Sequence, residues 1–426
     1  MSENLKPLRN GDTVCVVGGG PGGSSCAIAL KREAAKRRME LNVVLLEQKK
    51  FEEERQFNQC IGVLSPPLEK ILNDRLGVKL PVELFLKEIK GYRLHSDRFS
   101  LDLVGDDHER TYAVQRSKFD AFMLEEARKA GVTIVNNRVL GVEIGADEVL
   151  LYTDGENYTS AVVVGAFGMD EGSCRVFEES TPYREPDFLN TVITRIYPGE
   201  EFLNEMGPVI QAFLLGFEGL EFGAVTPKHD HISINIAGRR VTSEVMLKFL
   251  RSQPVQNFLP PHKRREKPLH YFKGKFPISP AKNLCGDRYV TIGDAAGLIR
   301  PFKGKGINSA CLTGIYAART IIRHGVSKQA FDEYYIKDCA MLTNDLPYGR
   351  ALRWLTKLST HFKFMDYLVK IAEDDPVFME CLFNCVSGHK PYKNIIRETV
   401  SIPLAFRIFR ELCNHFILRK KIVKTL

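Results

Sequence analysis

Thr13-Val14-Cys15-Val16-Val17-Gly18-Gly19-Gly20-Pro21-Gly22-Gly23-Ser24-Ser25-Cys26-Ala27 decides the fold. Thr13 to Val17 is a short β-branched apolar run, the kind that makes a buried parallel strand. Gly18, Gly20 and Gly23 then fall on the spacing G-x-G-x-x-G, and the small residues that follow start a helix able to pack tightly on a sheet. The first glycine permits the tight turn, the second lets backbone amides approach a pyrophosphate, and the third lets helix and strand close on each other. Pro21 and Gly22 open the helix, whose N-terminus offers unpaired N–H groups and partial positive charge to phosphates. The next apolar run, Val43 to Leu46, ends at Glu47, where a carboxylate can take ribose hydroxyls. The glycine spacing alone is weak evidence. The strand before it, the helix after it and the acid closing the next strand make it a dinucleotide site.

A second constellation lies far along the chain. Tyr289 to Ile292 reads as one more buried strand, and it feeds Gly293-Asp294-Ala295-Ala296-Gly297 and then Pro301-Phe302-Lys303-Gly304-Lys305-Gly306-Ile307. Asp294 is placed to accept from a ribityl hydroxyl, and Ala295 to Gly297 leave room for a flavin. Gly304, Gly306 and Ile307 begin a long helix to about Arg323, so their amides and its dipole face the flavin's pyrimidine edge. Two such segments on one chain point to FAD as the cofactor.

Between and after these segments the patterning changes. Tyr92 to His95 and Phe99 to Leu103 alternate, and Phe119 to Ala130 has helical spacing. Val132 to Val135, Val149 to Tyr152 and Ala161 to Gly165 read as strands. Thr191 to Ala237 reads as strands throughout, with Ile232 to Ile236 the clearest, and almost everything after Ser327 reads helical with Pro347, Pro376, Pro391 and Pro403 as punctuation. The expected class is α/β. A Rossmann-like FAD-binding domain is assembled from discontinuous segments (10–65, 110–170 and 281–325). An antiparallel β substrate domain is inserted (66–109 and 171–280), and a helical C-terminal region (326–426) closes the chain.

Several residues together resemble a known family. Gly18 to Gly23, Gly293-Asp294, and Val114-Gln115-Arg116 with Phe119-Asp120 look like FAD enzymes of the para-hydroxybenzoate hydroxylase fold, and within them the geranylgeranyl reductase family. Cys60-Ile61-Gly62-Val63-Leu64-Ser65-Pro66 resembles that family's C-x-G-x-x-S-P stretch near the isoalloxazine, and Arg116-Ser117-Lys118-Phe119-Asp120 its R-x-x-F-D segment. The resemblance implies that Arg116 meets the FAD phosphates and ribose. It also implies that Cys60 lines the flavin pocket and helps position or protonate the substrate carbon; read from the residue alone, Cys60 is a small buried hydrophobe. There are departures. Lys305 stands where the family carries glycine, Gly165-Ala166-Phe167-Gly168 replaces a commoner Gly-Ala-Asp-Gly, and the family's aromatic-rich segment is faint at Phe222 to Pro227.

The implied reaction is hydride transfer from reduced FAD to a carbon–carbon double bond of an isoprenoid or other apolar small molecule. No second G-x-G-x-x-G follows a strand, so electrons are expected from an external donor: NAD(P)H, a quinol or a ferredoxin-type carrier. A flavin monooxygenase on the same fold is the nearest competitor, and a non-catalytic FAD-binding protein the next. Halogenases of this fold carry a paired-Trp motif, whereas Trp354 is the only tryptophan of the chain.

Charge and cysteine usage bound the setting. The 426 residues carry a net charge of +8, and from Lys390 onward there are nine Lys or Arg against two acids. Such a tail suits an anionic partner; without nucleic-acid signatures the reading favours a membrane surface over nucleic acid. Val400 to Leu418 places Ile402, Phe406, Phe409 and Phe416 on one side of a helix, which either lies in a lipid interface or docks on the protein's own core. Ten scattered cysteines and a polar Met1 to Asp12 favour reduced thiols in a cytoplasmic protein, peripheral at the inner membrane face. No metal site is expected.

Overall fold

The structure, a computed structural model, describes residues 7–49, 60–103, 110–261, 270–300, 305–399, 407–408 and 410. The chain divides into two units, Met1–Phe85, Val114–Phe188 and Lys275–Leu346 in the first, and Leu86–Ala113, Leu189–Gly274 and Pro347–Leu426 in the second. The helical stretch after 326 is thus shared between them.

The first unit is a doubly wound sheet. β1 (Thr13–Val17), α1 (Pro21–Lys36), β2 (Asn42–Leu46), α2 (Arg116–Lys129), β3 (Thr133–Val135), β4 (Val162–Gly165), β5 (Cys285–Gly286), β6 (Tyr289–Thr291) and α3 (Gly306–His324) are its main elements. The strand order is β5-β6-β4-β1-β2-β3. All neighbours are parallel except the β5–β6 hairpin. β4 and β6 are buried along their whole length, as expected of strands covered on both faces. From β1 the chain moves to β2 on one side and to β4 on the other, so β1 is the switch point where this architecture opens a crevice beyond its strand ends.

α1 and α3 lie side by side and run in the same direction. A Cβ on Gly314 would stand 2.5 Å from the Gly22 carbonyl oxygen, so glycine there is what lets α3 approach α1. One helix length further on, Arg323 donates to Glu33 through Nε at 3.0 Å and Nη2 at 2.6 Å. Both N-termini therefore sit at the same edge of the sheet. A three-stranded meander, Val139–Ile144, Val149–Thr153 and Tyr158–Ser160, leads into β4.

The second unit is built on a seven-stranded sheet ordered 272–277, 188–196, 232–238, 222–227, 209–213, 91–95 and 100–103. Ile232, Ile234 and Ile236 point into one core with Val225, Phe213, Met246 and Phe249. The stretch Thr191 to Ala237 is not all strand, as the alternation had suggested: a helix interrupts it at Glu200–Met206. Gly199 and Gly207, both at positive φ, bracket that helix, and Glu200 and Glu201 suit its N-terminal turn. Among the described residues no helix is long and apolar enough to cross a membrane.

Candidate functional site

The site grows from the turn between β1 and α1. Gly18 has φ 107°, and a Cβ there would come 2.5 Å from the Ala166 carbonyl oxygen. A Cβ on Gly23 would come within 1.8 Å of the Gly18 carbonyl oxygen, so the third glycine is what lets α1 close on β1. Gly20 is different. A Cβ on it meets nothing within 4 Å among the described residues, which leave the space above the turn clear. Pro21 sits at the first helical position, Gly22 follows it, and no side chain caps the helix and no acid occupies its first turn. Ser24 N–H donates to the Gly20 carbonyl at 3.0 Å, whereas the Gly22 and Gly23 amides of that turn lack an intrahelical acceptor and face the position of an anion.

Glu47 lies just past β2 and is buried. Its Oε2 accepts the Gly19 N–H at 2.7 Å and its Oε1 the Lys49 N–H at 2.7 Å. Burial pushes its carboxyl above the ordinary range, and the two amides draw it back. Each oxygen keeps a further lone pair for a hydroxyl. Glu47 thus also braces the glycine turn, a role its sequence position did not disclose.

Arg116 starts α2, and its Nε donates to Asp120 Oδ1 at 2.7 Å, with both side chains largely buried. Burial pulls the guanidinium down, but Asp120 and Cys60 beside it outweigh burial and hold it above its usual value. Cys60 is half-buried; its Sγ accepts the Gly62 N–H at 3.4 Å and lies against the Arg116 guanidinium. Gly62, at φ 73°, accepts the Val114 N–H at 2.8 Å and passes so close that a Cβ would sit 2.3 Å from the Val114 oxygen. The Cys60 stretch is thereby fixed on the segment leading into α2.

The distal segment joins the same place. Gly293 has φ 61°, its N–H donates to Thr313 Oγ1 at 2.9 Å, and the buried Tyr183 hydroxyl donates to the Ala295 carbonyl at 2.8 Å. Enclosure pushes the Asp294 carboxyl up while Arg116 draws it back, which sets these two charges within electrostatic reach of each other. Gly306 and the buried Ile307 form the first turn of α3, again with no side-chain cap and no acid. Gly304 lies outside the described residues. Lys305 Nζ donates to the Pro66 carbonyl at 2.7 Å, and Asn308 Nδ2 donates to the adjacent Ser65 O at 3.1 Å. Phe167, where an acid was commoner, packs with Phe177 and Tyr183 in the core of this unit.

Gly18, Gly20, Pro21, Gly22, Gly23, Glu47, Cys60, Arg116, Gly293, Asp294, Gly306 and Ile307 all fall in the first unit. Asp120 was legible as an i,i+4 partner of Arg116. The bonds from Lys305 and Asn308 had no sequence signal, since their acceptors lie 239 and 243 residues away. The clear space over Gly20, two uncapped helix N-termini at one sheet edge, a guanidinium and two enclosed carboxylates fit the phosphates and hydroxyls of a dinucleotide such as FAD.

No family model matches the chain. It is 25% identical to a digeranylgeranylglycerophospholipid reductase of Methanocaldococcus jannaschii, over 96% of this chain and all of that one. Among solved structures it superposes on a geranylgeranyl bacteriochlorophyll reductase-like protein of Thermoplasma acidophilum with a TM-score of 0.68 and 20% identity, covering 95% and 99% of the two chains. It also superposes on a flavin-dependent brominase with a TM-score of 0.66 and 18% identity, over 91% and 98%. By sequence the chain is similar to digeranylgeranylglycerophospholipid reductases, and by structure it shares the fold of the FAD-dependent reductases and hydroxylases.

Proposed function

We propose that this protein is an FAD-dependent reductase of carbon–carbon double bonds in an isoprenoid chain. The observation that carries the reading is the cradle of the first unit, with its open space over Gly20 and uncapped amides at α1 and α3, in a chain matched end to end by a geranylgeranyl-type reductase. FAD, when bound there, supplies the hydride. The amides of the Gly18–Gly23 turn hold the pyrophosphate, Glu47 the ribose, Arg116 the phosphate and ribose edge, and Asp294 the ribityl chain. Gly306 and Ile307 present α3 amides to the flavin's pyrimidine edge.

An isolated alkene is a poor hydride acceptor, so the protein must hold it close, exclude water and deliver a proton to the second carbon. Cys60 is the side chain assigned to the substrate side of the flavin. Its contact with Arg116 keeps the thiol oriented. Electrons enter from an external donor, NAD(P)H, a quinol or a ferredoxin-type carrier.

The test is anaerobic. The purified protein is photoreduced, a geranylgeranylated lipid is added in detergent, and the oxidised flavin band is followed. Return of the band with lipid alone supports the reductase. No return with lipid, followed by fast return when air is admitted with an aromatic or lipid substrate, replaces it by a monooxygenase, the activity class of other proteins on this fold.

A further inference from the structure

α4 (Leu346–His361) has two unlike sides. Inward, Arg353 donates to both carboxylate oxygens of Glu221 at 2.8 Å, and the buried Thr360 sets its carbonyl against Gly216. These contacts pin the helix to the second unit. Outward, Trp354 is 62% exposed, Leu355 49%, Leu358 39% and, just past the helix end, Phe362 39%. Trp354, Leu358 and Phe362 are spaced four apart, with Ala351 and Leu355 beside them, so they form one stripe. Arg350, Lys357 and His361 are exposed along one border of that stripe, and Lys363 follows it. Between Leu346 and Met365 there is no Asp or Glu.

Single exposed apolar residues are ordinary; a continuous row of four large ones is not. A stripe with a cationic border and no acid matches a surface that is apolar beneath and anionic above. That is the lipid interface, where indole and phenyl rings reach the acyl boundary and Lys and Arg meet headgroup phosphates. We propose that the outer face of α4 docks the protein on an anionic membrane surface, with Trp354, Leu358 and Phe362 inserted. The docking is independent of the reductase reading and needs no turnover to be seen.

Trp354 is the only tryptophan, so tryptophan emission, excited selectively over that of the tyrosines, reports on this face alone. The full-length chain is mixed at low salt with vesicles of equal parts phosphatidylglycerol and phosphatidylcholine, or of phosphatidylcholine only. Cosedimentation with the anionic vesicles is expected, with a blue shift of the emission and quenching by lipids brominated on the acyl chains. Binding weakens with salt as the cationic border is screened. The Leu358→Glu, Phe362→Glu double variant keeps Trp354 and changes only exposed positions. It should retain the wild-type circular dichroism and lose vesicle partitioning by about tenfold or more. Cosedimentation without any change in Trp354 emission, or equal binding by the double variant, overturns the proposal and assigns binding to another surface. Equal binding to the neutral vesicles overturns the anionic requirement. A blue shift that grows with protein concentration without vesicles, with a dimer's mass, assigns the face to a second copy and overturns it as well.

Discussion

Gly20→Val and Gly23→Ala separate the ligand from the fold. Gly20 has φ −65° and ψ −175°, a conformation valine adopts freely, and a Cβ there meets no atom of the described residues within 4 Å. Gly20 is the N-cap of α1, where valine is disfavoured, so the substitution should cost the cofactor-free protein about 1 kcal/mol. Its methyl groups, however, fill the space through which a pyrophosphate reaches the turn. FAD at a hundredfold excess over its Kd stabilises a native protein by about 2.7 kcal/mol. At roughly 2–4 °C per kcal/mol, that is roughly 5–10 °C of Tm which the variant forfeits.

Gly23→Ala runs the other way. The added Cβ would stand 1.8 Å from a backbone oxygen, where real Cβ contacts essentially never fall under 3.0 Å, so α1 must withdraw from β1 by more than an ångström. Overpacking of a buried layer costs about 1–3 kcal/mol, occasionally more, and the better helix propensity of alanine returns about 1. The assay is flavin absorbance per purified chain, with thermal melts in the presence and absence of added FAD. Gly20→Val should melt within a few degrees of cofactor-free wild type and gain nothing from FAD, and Gly23→Ala should melt lower even without it. A Gly20→Val protein that purifies fully yellow refutes the placement of the pyrophosphate. A Gly23→Ala protein with wild-type Tm refutes the packing argument.

Other residues yield separate tests. Arg116→Ala strands the buried Asp120 carboxylate and should cost about 3–5 kcal/mol in denaturant melts, while Arg116→Ala with Asp120→Ala recovers much of it; equal losses would show that the pair is not the cause. Thr226 is 1% exposed and its hydroxyl has no hydrogen-bond partner among the described residues, so Thr226→Val should be neutral or stabilising by about 1 kcal/mol, and a clear loss of Tm would mean the hydroxyl is paired. Burial raises the Glu47 carboxyl above 4.5, so its charged form weakens folding at neutral pH. That cost is relieved as pH falls through the raised value, and Glu47→Gln should remove this part of the Tm-against-pH slope, whereas parallel curves would contradict the linkage. Cys60→Ala should leave flavin content intact and slow alkene-dependent reoxidation; loss of flavin instead would make Cys60 a support of the cradle only.

The first unit was legible where its signals were local. A β-branched run, three glycines at fixed spacing and an acid ending the next run are each set by backbone sterics within a few residues, and the structure has β1, α1 and β2 in that order. β6 and the start of α3 were legible for the same reason. The brace from Glu47 to Gly19 was not, because sequence position shows a carboxylate near a ribose site but not which lone pairs the backbone already uses. Lys305 shows the same limit. Its charge was readable, but its direction is set by a carbonyl far away in the chain. The helix at Glu200–Met206 was hidden because alternating neighbours on both sides mask a run of seven residues bracketed by glycine.

The departures from the resemblance read in the sequence are unevenly placed. In the first unit they are absorbed: Phe167 joins an aromatic core cluster, and Lys305 spends its charge on a carbonyl. In the second unit they are not. Phe222–Pro227 pairs with Ile232–Gly238 in a register that sets Thr226 opposite Ser233 and Ala224 opposite Asn235. Val225, Ile234 and Ile236 enter the core, so alternation puts Ala224, Thr226, Ser233 and Asn235 on the other face of the sheet. The side chains on that face are small or polar, and the Thr226 Oγ1 and Asn235 Oδ1 atoms are buried without a partner among the described residues. Each such atom costs about 1–3 kcal/mol. The same cost recurs in the first unit, at Ser25 Oγ on α1 and Thr320 Oγ1 on α3, so both units carry buried hydroxyls that have no partner among the described residues.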